Sequence, residues 1–463
     1  MKKFKDSCQP REQLMLLPPS INDFVPNDAP ARYIANIIGQ MDLSGVYASY
    51  PGGGAPAYEP RTLLQLLLFS YSDGERSSRR IAQKCKRDTH YMYLCEMQTP
   101  NHNTIARFRR KHEKLITETF LFTVHQCQKE GLVLLEQVAV DGTKLEANVS
   151  GKATMSVKRA EIVREKAAAT IKRIMAEAEE IDAAEDRAES ERDRQKEVQA
   201  IERLKKSQEQ AEAAIDMMEE RKVNSICITD TESRVMRTGR GNRPGYNAQA
   251  AVDGANQVIV AASITQDLND MHQLPEMVKQ IQANTGETPE HVTADAGYSS
   301  IETLVSMEEN GIDAYVALRP CEQVRADLKY DEENDILTKV EPETGLETQF
   351  RFLGLRKQKE RRYRLYRCLT STKTLSIRDS VEKDIGLRLR MMTKLNSKRG
   401  RKIYRLRQQT VEPVFGRLKT TLGLTRFLLR GKSGANIEYL LCCAAHNLKK
   451  LLIASQMTKL NPA

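Results

Sequence analysis

Apolar residues change their spacing several times along this chain, and each change marks an element. After Pro60, the residues Leu63, Leu64, Leu66, Leu67, Leu68 and Tyr71 are dense enough for a largely buried helix, which Asp73-Gly74 ends. An amphipathic helix is expected around Ala31–Met41, another from Ser77-Ser78, and a basic one over Ile105–His112 after the punctuation Pro100-Asn101-His102-Asn103-Thr104. Between Gly151 and Gly239 neither glycine nor proline interrupts a run rich in Ala, Glu, Lys and Arg. Within it Ile171, Ile174, Ala178 and Ile181 recur at helical spacing, as do Leu204, Gln208, Ala211, Ile215 and Met218. The charged stretch Glu185–Arg194 separates the two sets. This pattern predicts a long antiparallel helical hairpin with a charged tip, one continuous coiled coil being the alternative.

Beyond residue 245 the period shortens. Tyr246–Asp253, Gln257–Ile264 and His291–Asp295 are expected as strands, with a helix over Leu274–Ala283 joining the second to the third. Ser299-Ser300-Ile301-Glu302 has capping spacing and opens a further helix, and Ala314–Leu318 is another strand. Residues 321–395 are polar and mixed, and within them only Arg362–Cys368 alternates as a strand. A basic helix runs on from Arg399, and Gly431-Lys432-Ser433-Gly434 breaks it before an apolar helix over Ile437–Leu452.

Two segments carry the candidate chemistry. Val138-Ala139-Val140-Asp141-Gly142 and Val292-Thr293-Ala294-Asp295-Ala296-Gly297 each drive an apolar strand into an aspartate. A carboxylate at the mouth of a buried strand is costly unless something compensates its charge. Glu412, in the helical run Thr410–Lys419, adds a third carboxylate, and the set suggests a divalent-metal site. Singly, each has a plainer reading: Asp141-Gly142 as a turn, Asp295 as a strand end, Glu412 as a first-turn helix residue ahead of Pro413. Asp267, Asp270 and His272 read as capping residues ahead of Leu274 rather than as a further metal cluster. His446 with Cys442 and Cys443 reads as helix core. Gly239–Gly245 reads either as a basic loop touching DNA or as a linker, since it lacks the Lys-Ser/Thr end of a nucleotide loop.

A formal charge of +10 over 463 residues and a pI near 9.0 favour a polyanionic partner. Charge alone also fits a ribosome-associated or membrane-surface protein; joined to the carboxylates, it points to phosphodiester chemistry on DNA. Arg107, Arg109, Arg110 and Lys111 spread around the Ile105–His112 helix. One edge is then free for phosphates while Ile105 and Phe108 pack inward, as in a helix-turn-helix arrangement; a solvated face on a helical bundle is the plainer alternative. Nine scattered cysteines without a C-x-x-C pair fit neither a zinc ribbon nor a disulfide framework. The first residues lack an apolar signal core and no apolar stretch reaches membrane-spanning length, so a reducing cytoplasm is expected.

Together these motifs resemble a bacterial insertion-sequence DDE transposase. Tyr58-Glu59-Pro60, Ser77-Ser78-Arg79 and Thr104–Arg109 are similar to that family's N-terminal domain, and Asp141-Gly142-Thr143-Lys144 with Ala147-Asn148 to its first acidic motif. Asp230–Met236 and Pro244–Gln249 resemble the segment after a helical insertion, Asp295–Tyr298 the second acidic motif and Val411–Gly416 the third. The resemblance spans nearly the whole chain. It implies an α/β ribonuclease-H-like catalytic core with an all-α N-terminal DNA-binding domain and a long helical-hairpin (coiled-coil) insertion. The implied division is an arm at 1–58, a helical DNA-binding domain at 59–128 and a core from 129–150 and 224–320. The helical insertion is 151–223, an insertion of uncertain fold 321–395, and the C-terminal helices with the catalytic glutamate 396–463.

The same resemblance implies Asp141, Asp295 and Glu412 as catalytic residues and ligands of Mg²⁺, with Mn²⁺ able to substitute. Asp141 would bridge two ions and the other two carboxylates would each complete one side. Water would cleave the strand, and the freed 3′-hydroxyl would attack target DNA. The implied partners are double-stranded DNA, as element ends and as target, and a second copy of the chain in a synaptic complex. No membrane is involved, and the place of action is the cytoplasm, on the nucleoid. A DNA-binding relic or repressor, and a stand-alone ribonuclease-H-type nuclease, are the alternative functions. One departure stands out among the family's DNA-contacting positions. Lys419 is in register with Glu412, but Tyr404 and Arg407 lie one residue too far upstream, and Gln408 stands where the arginine is expected. One residue turns a helical side chain by roughly 100°.

Overall fold

The leucine-dense run becomes a helix because its start is satisfied from both sides. The Glu59 carboxylate accepts from the Thr62 amide at 2.6 Å, and Pro60 occupies the first turn, where no amide is needed. A computed structural model of the chain describes residues 20–50, 56–150, 153–183, 191–319, 328–331, 334–341, 344–358, 361–379 and 384–460. Two units share the chain: residues 1–126 with 441–463, and residues 127–440.

The described regular elements ahead of residue 130 are helical. They are α1 (Pro30–Gly39), α2 (Ser44–Tyr47), α3 (Pro60–Ser72), α4 (Ser78–Lys84), α5 (Thr89–Leu94), α6 (His102–Lys111) and α7 (Glu113–Lys129), after a 3-10 turn at Ile21–Phe24. α6 begins three residues before Ile105 because Asn101 caps it, its side chain accepting from the Thr104 amide at 2.9 Å.

The second unit opens with β1 (Gln137–Glu146) and β2 (Thr154–Ser156), then α8 (Val157–Ala183) and α9 (Glu191–Glu220). These two long helices pack on each other. Ala160 of α8 meets Ala211, Ala214 and Met218 of α9 in a buried cluster with Met155 and Ile226, where β2 pairs antiparallel with β3 (Ser225–Cys227). The charged tip expected at Glu185–Arg194 lies partly outside the described residues.

There follow β4 (Arg234–Thr238), β5 (Gly241–Asp253), β6 (Ile259–Thr265), α10 (Gln273–Thr285), β7 (His291–Ala294), α11 (Ile301–Glu309) and β8 (Ala314–Val316). They form one sheet with β1 in the order β4-β5-β1-β7-β8, with β6 pairing with β5 over Asn247–Val252. β5 runs antiparallel to β1, β4 and β6, whereas β7 runs parallel to β1 and β8 parallel to β7. Val138, Ala139 and Val140 are fully buried, as a central strand covered on both faces requires. Gly239–Gly245 is neither loop nor linker: β4 and β5 pair as far as Thr238 and Gly241, so the segment is a tight hairpin and the start of β5.

Residues 321–395 hold five strands among those described: β9 (Leu328–Asp331), β10 (Ile336–Val340), β11 (Glu347–Gln358), β12 (Arg361–Cys368) and β13 (Thr374–Asp379). Each pairs antiparallel with the next, a meander whose buried residues include Leu337, Phe350 and Tyr366. The chain ends in α12 (Asp384–Asn396), α13 (Lys398–Thr420) and α14 (Gly431–Leu460).

α13 packs on β1, β5 and β7 through Ile403, Arg407, Val411, Val414 and Leu418. Pro413 lies inside it and has no amide to offer the Gln409 carbonyl one turn back. Gln257 makes good the loss, its Nε2 donating to that carbonyl at 2.9 Å. Among the described residues no helix is long and apolar enough to cross a membrane.

Candidate active site

Strand register brings the two aspartates together. β1 and β7 run parallel with Val140 opposite Ala294, so the next residues, Asp141 within β1 and Asp295 just past the end of β7, lie side by side. Strands in a sheet lie about 4.8 Å apart. Asp295 begins a 3-10 turn over Ala296–Tyr298 and accepts the Gly297 amide at 2.8 Å; Asp141 accepts the Gly142 amide at 2.8 Å. Burial raises the Asp141 carboxyl to about 6, the Asp295 and Asp270 carboxylates push the same way, and Arg407 with the Gly142 amide opposes them. Arg407 is only 8% exposed, and its Nη1 stands 3.4 Å from Asp141 Oδ2. No hydrogen bond forms from that nitrogen, so the attraction is Coulombic. The guanidinium also sits 6.0 Å from the centre of the Tyr404 ring.

Asp270 is the residue that sequence reasoning missed. It lies between β6 and α10, yet it does not cap that helix, whose N-cap is His272 without a side-chain bond. Its carboxylate turns inward instead. Lys144 Nζ donates to both of its oxygens at 3.0 and 3.1 Å, Asn247 Nδ2 to Oδ1 at 2.6 Å and Gln249 Nε2 to Oδ1 at 2.7 Å. Tyr298 donates its hydroxyl to Gln249 Oε1. Burial first, then Asp270, Asp141 and Asp295, hold that phenol far above its ordinary range, so it stays protonated. The glycines after the aspartates make the packing possible. A Cβ on Gly142 would lie 2.4 Å from Gln249 Nε2 and 2.8 Å from Asp270 Oδ1; one on Gly297 would lie 2.9 Å from Asp295 Oδ1 and 3.6 Å from Asp270 Oδ2. A signal for Asp270 was present in β5. Asn247 and Gln249 are polar residues two apart in the otherwise apolar stretch Tyr246–Val252 of β5, opposite Lys144 and Gly142, and buried amides need a partner.

Glu412 is not gathered with the aspartates. It is exposed on α13, and among the described residues no three His, Cys, Asp or Glu side chains form a group that could hold a metal. Lys419 is seven residues further along, within roughly 20° of the same helical stripe. Burial lowers its ammonium pKa while the Asp141 charge works against the fall.

Residues 181–448, more than half of the chain, match the family model of the transposase DDE domain. The chain belongs to the insertion-sequence-type DDE transposases. A second model, the transposase domain DUF772, matches residues 19–111 of this transposase. A DDE domain implies a ribonuclease-H-like core, and the sheet of the second unit is mixed, with parallel and antiparallel strands. The DDE match takes in Asp295 and Glu412 and begins beyond Asp141. No curated protein matches the chain in sequence. Among solved structures, a piggyBac transposase synaptic complex with hairpin DNA is similar at 8% identity and a TM-score of 0.33, over 93% of this chain and 72% of that one. DDE transposases generally use divalent metal ions.

The basic residues expected to meet DNA divide into two groups. Arg107, Arg110 and Lys111 are exposed on α6, Lys111 placing its ammonium 4.8 Å from the centre of the Tyr50 ring. Arg109 is different. It is 3% exposed and donates to the Tyr71 hydroxyl at 2.6 Å and the Arg76 carbonyl at 3.1 Å, so it builds the helical core rather than the transposase's surface. Arg407 is likewise turned inward, against Asp141. Tyr404 beside it is half-buried. His446, Cys442 and Cys443 are buried in α14.

Proposed function

We propose that this transposase binds the ends of its own element, cleaves DNA there and joins the freed ends to target DNA, using a divalent metal held by Asp141 and Asp295. The observation that carries this reading is the parallel register of β1 and β7, which sets two part-buried carboxylates side by side, Asp141 within β1 and Asp295 just past the end of β7. Their chemistry suits Mg²⁺, which keeps several waters and is held by one or two carboxylates together with substrate phosphates; Mn²⁺ would substitute. A bound ion would activate the attacking water or 3′-hydroxyl and stabilise the leaving oxygen.

The chain's own residues do the rest. Arg407 balances the charge of Asp141, Tyr298 and Gln249 brace the floor of the site, and Glu412 approaches from α13 as the third carboxylate once DNA is in place. Lys419, on the same stripe, and Tyr404 contact the DNA strand. Arg107, Arg110 and Lys111 hold phosphates from α6, within a helical DNA-binding region at 59–128. Two copies act together in the cytoplasm, since two element ends must meet. The exposed Ile162, Met175 and Val198 on α8 and α9 offer apolar surface for that pairing.

The test incubates the purified protein and its Asp295→Ala variant with Mg²⁺ and labelled DNA bearing the element's ends. The expected result is cut ends with 3′-hydroxyls that join to a second DNA, absent in the variant. Equal cleavage by both proteins would refute the assignment of the carboxylates, and binding without cleavage by either would leave a DNA-binding relic.

A further inference from the structure

Lys144 sits three residues after Asp141 on β1, with 18% of its side chain exposed. A half-buried ammonium among carboxylates takes the one that meets it best. Two further carboxylates lie near Asp270: a Cβ on Gly297 would sit 2.9 Å from Asp295 Oδ1 and 3.6 Å from Asp270 Oδ2, and the Asp270 charge reaches Asp141 and helps to raise its pKa. Lys144 nevertheless pairs with Asp270, using both of its oxygens. The reason is preorganisation. Asn247 and Gln249, both fully buried, pin Asp270 Oδ1 with neutral amides, so the anion stands ready without a cation to hold it.

We infer that Asp270 is a positioning residue that holds Lys144 away from Asp141 and Asp295, so that its ammonium does not compete with a divalent cation for them. Without the Asp270 charge, the Lys144 ammonium is drawn to its nearest remaining anions and competes with the ion for them. This inference rests on the reading that Asp141 and Asp295 hold the ion.

The experiment is a calorimetric titration of the full-length protein with Mn²⁺, without DNA, on four proteins: wild type, Asp270→Asn, Lys144→Gln and the double variant. Asn keeps the size of Asp270 and an acceptor for Asn247 and Gln249, and removes only the charge. Asp270→Asn is expected to weaken Mn²⁺ binding by about tenfold or more, as loss of a group supporting metal ligands does. Lys144→Gln is expected to bind as tightly as wild type or more tightly, and the double variant to recover most of the loss. Recovery on removing a second charged group is what a merely structural role of Asp270 would not give. Wild type and Asp270→Asn binding alike would overturn this inference alone. Weak binding by Asp270→Asn with no recovery in the double variant would also overturn it, because the loss would not pass through Lys144. No Mn²⁺ binding by wild type would sink it together with the metal-site reading. If Asp270→Asn does not fold, Lys144→Gln decides: unchanged or tighter binding supports the inference, and weakened binding refutes it.

Discussion

In the absence of metal, Asp141 should destabilise the protein it serves, and Asp141→Asn should relieve the strain. Raising a carboxyl from its ordinary 3.8 to about 6 means that ionising it in the folded state costs about 3 kcal/mol more than in the unfolded chain. Only 20% of the side chain is exposed, so solvent screening takes away little of this. The sign follows from linkage: the folded state holds this proton more tightly, so the stability it contributes is complete below pH 3.8 and lost as pH climbs through about 6. Arg407 already softens the cost, since its attraction is included in the raised value. Asn is neutral at every pH and loses nothing. Urea unfolding in EDTA, followed on both proteins from pH 4 to pH 7.5, should show the variant gaining on wild type as pH rises, by about 3 kcal/mol at the top of the range. Mg²⁺ should close the gap by stabilising wild type alone. A constant difference between the two proteins across that range would refute the burial argument.

Three further outcomes follow from packing and charge. Gly142→Ala should cost about 1–3 kcal/mol by overpacking and abolish Mg²⁺-dependent cleavage, because its Cβ would strike Gln249 and Asp270; wild-type melting and activity would show that the site yields. Pro413→Ala should stabilise α13 by about 2 kcal/mol, the interior proline's cost less the one hydrogen bond from Gln257, and a lowered melting temperature would mean that the proline shapes the helix usefully. Replacing Arg107 and Arg110 with Ala should reduce the slope of log affinity for DNA against log salt by roughly 0.9 for each phosphate no longer neutralised. Arg109→Ala should instead lower the melting temperature with the slope intact, and the reverse pattern would show the two groups wrongly divided.

What the sequence made legible follows from which forces act locally. The β1, β5, β6 and β7 strands, the run after Pro60 and the basic helix from Arg399 carry their period in consecutive residues, and the two aspartates stand out for the same reason. The break did not, since that helix ends at Thr420 and Gly431–Gly434 opens α14, and Asp141 stands inside β1 rather than at its end. Of the β9–β13 meander only β12 was legible, because the other strands are polar on most positions, with few buried residues such as Leu337 and Phe350 to set a period. Asp270 was hidden differently. Its partners lie on β1 and β5, 126, 23 and 21 residues away, and only the sheet register brings them to it. Arg109 looked like a surface cation on a basic helix, and its burial depends on Tyr71, 38 residues upstream.

The parallel pairing of β1 with β7 has a bearing on when the protein becomes competent. Thr293 and Val138, 155 residues apart, meet across that pairing through a hydrogen bond at 3.4 Å. Closing a loop of this length comes late in folding, because its entropy must be met before the pairing gives anything back. The ribosome releases β1 and the first aspartate long before the second exists, and everything from β2 to α10 must emerge in between. A chain still being synthesised therefore carries half of the proposed metal site. On that proposal, cutting DNA is deferred until the sheet has closed around its central strand.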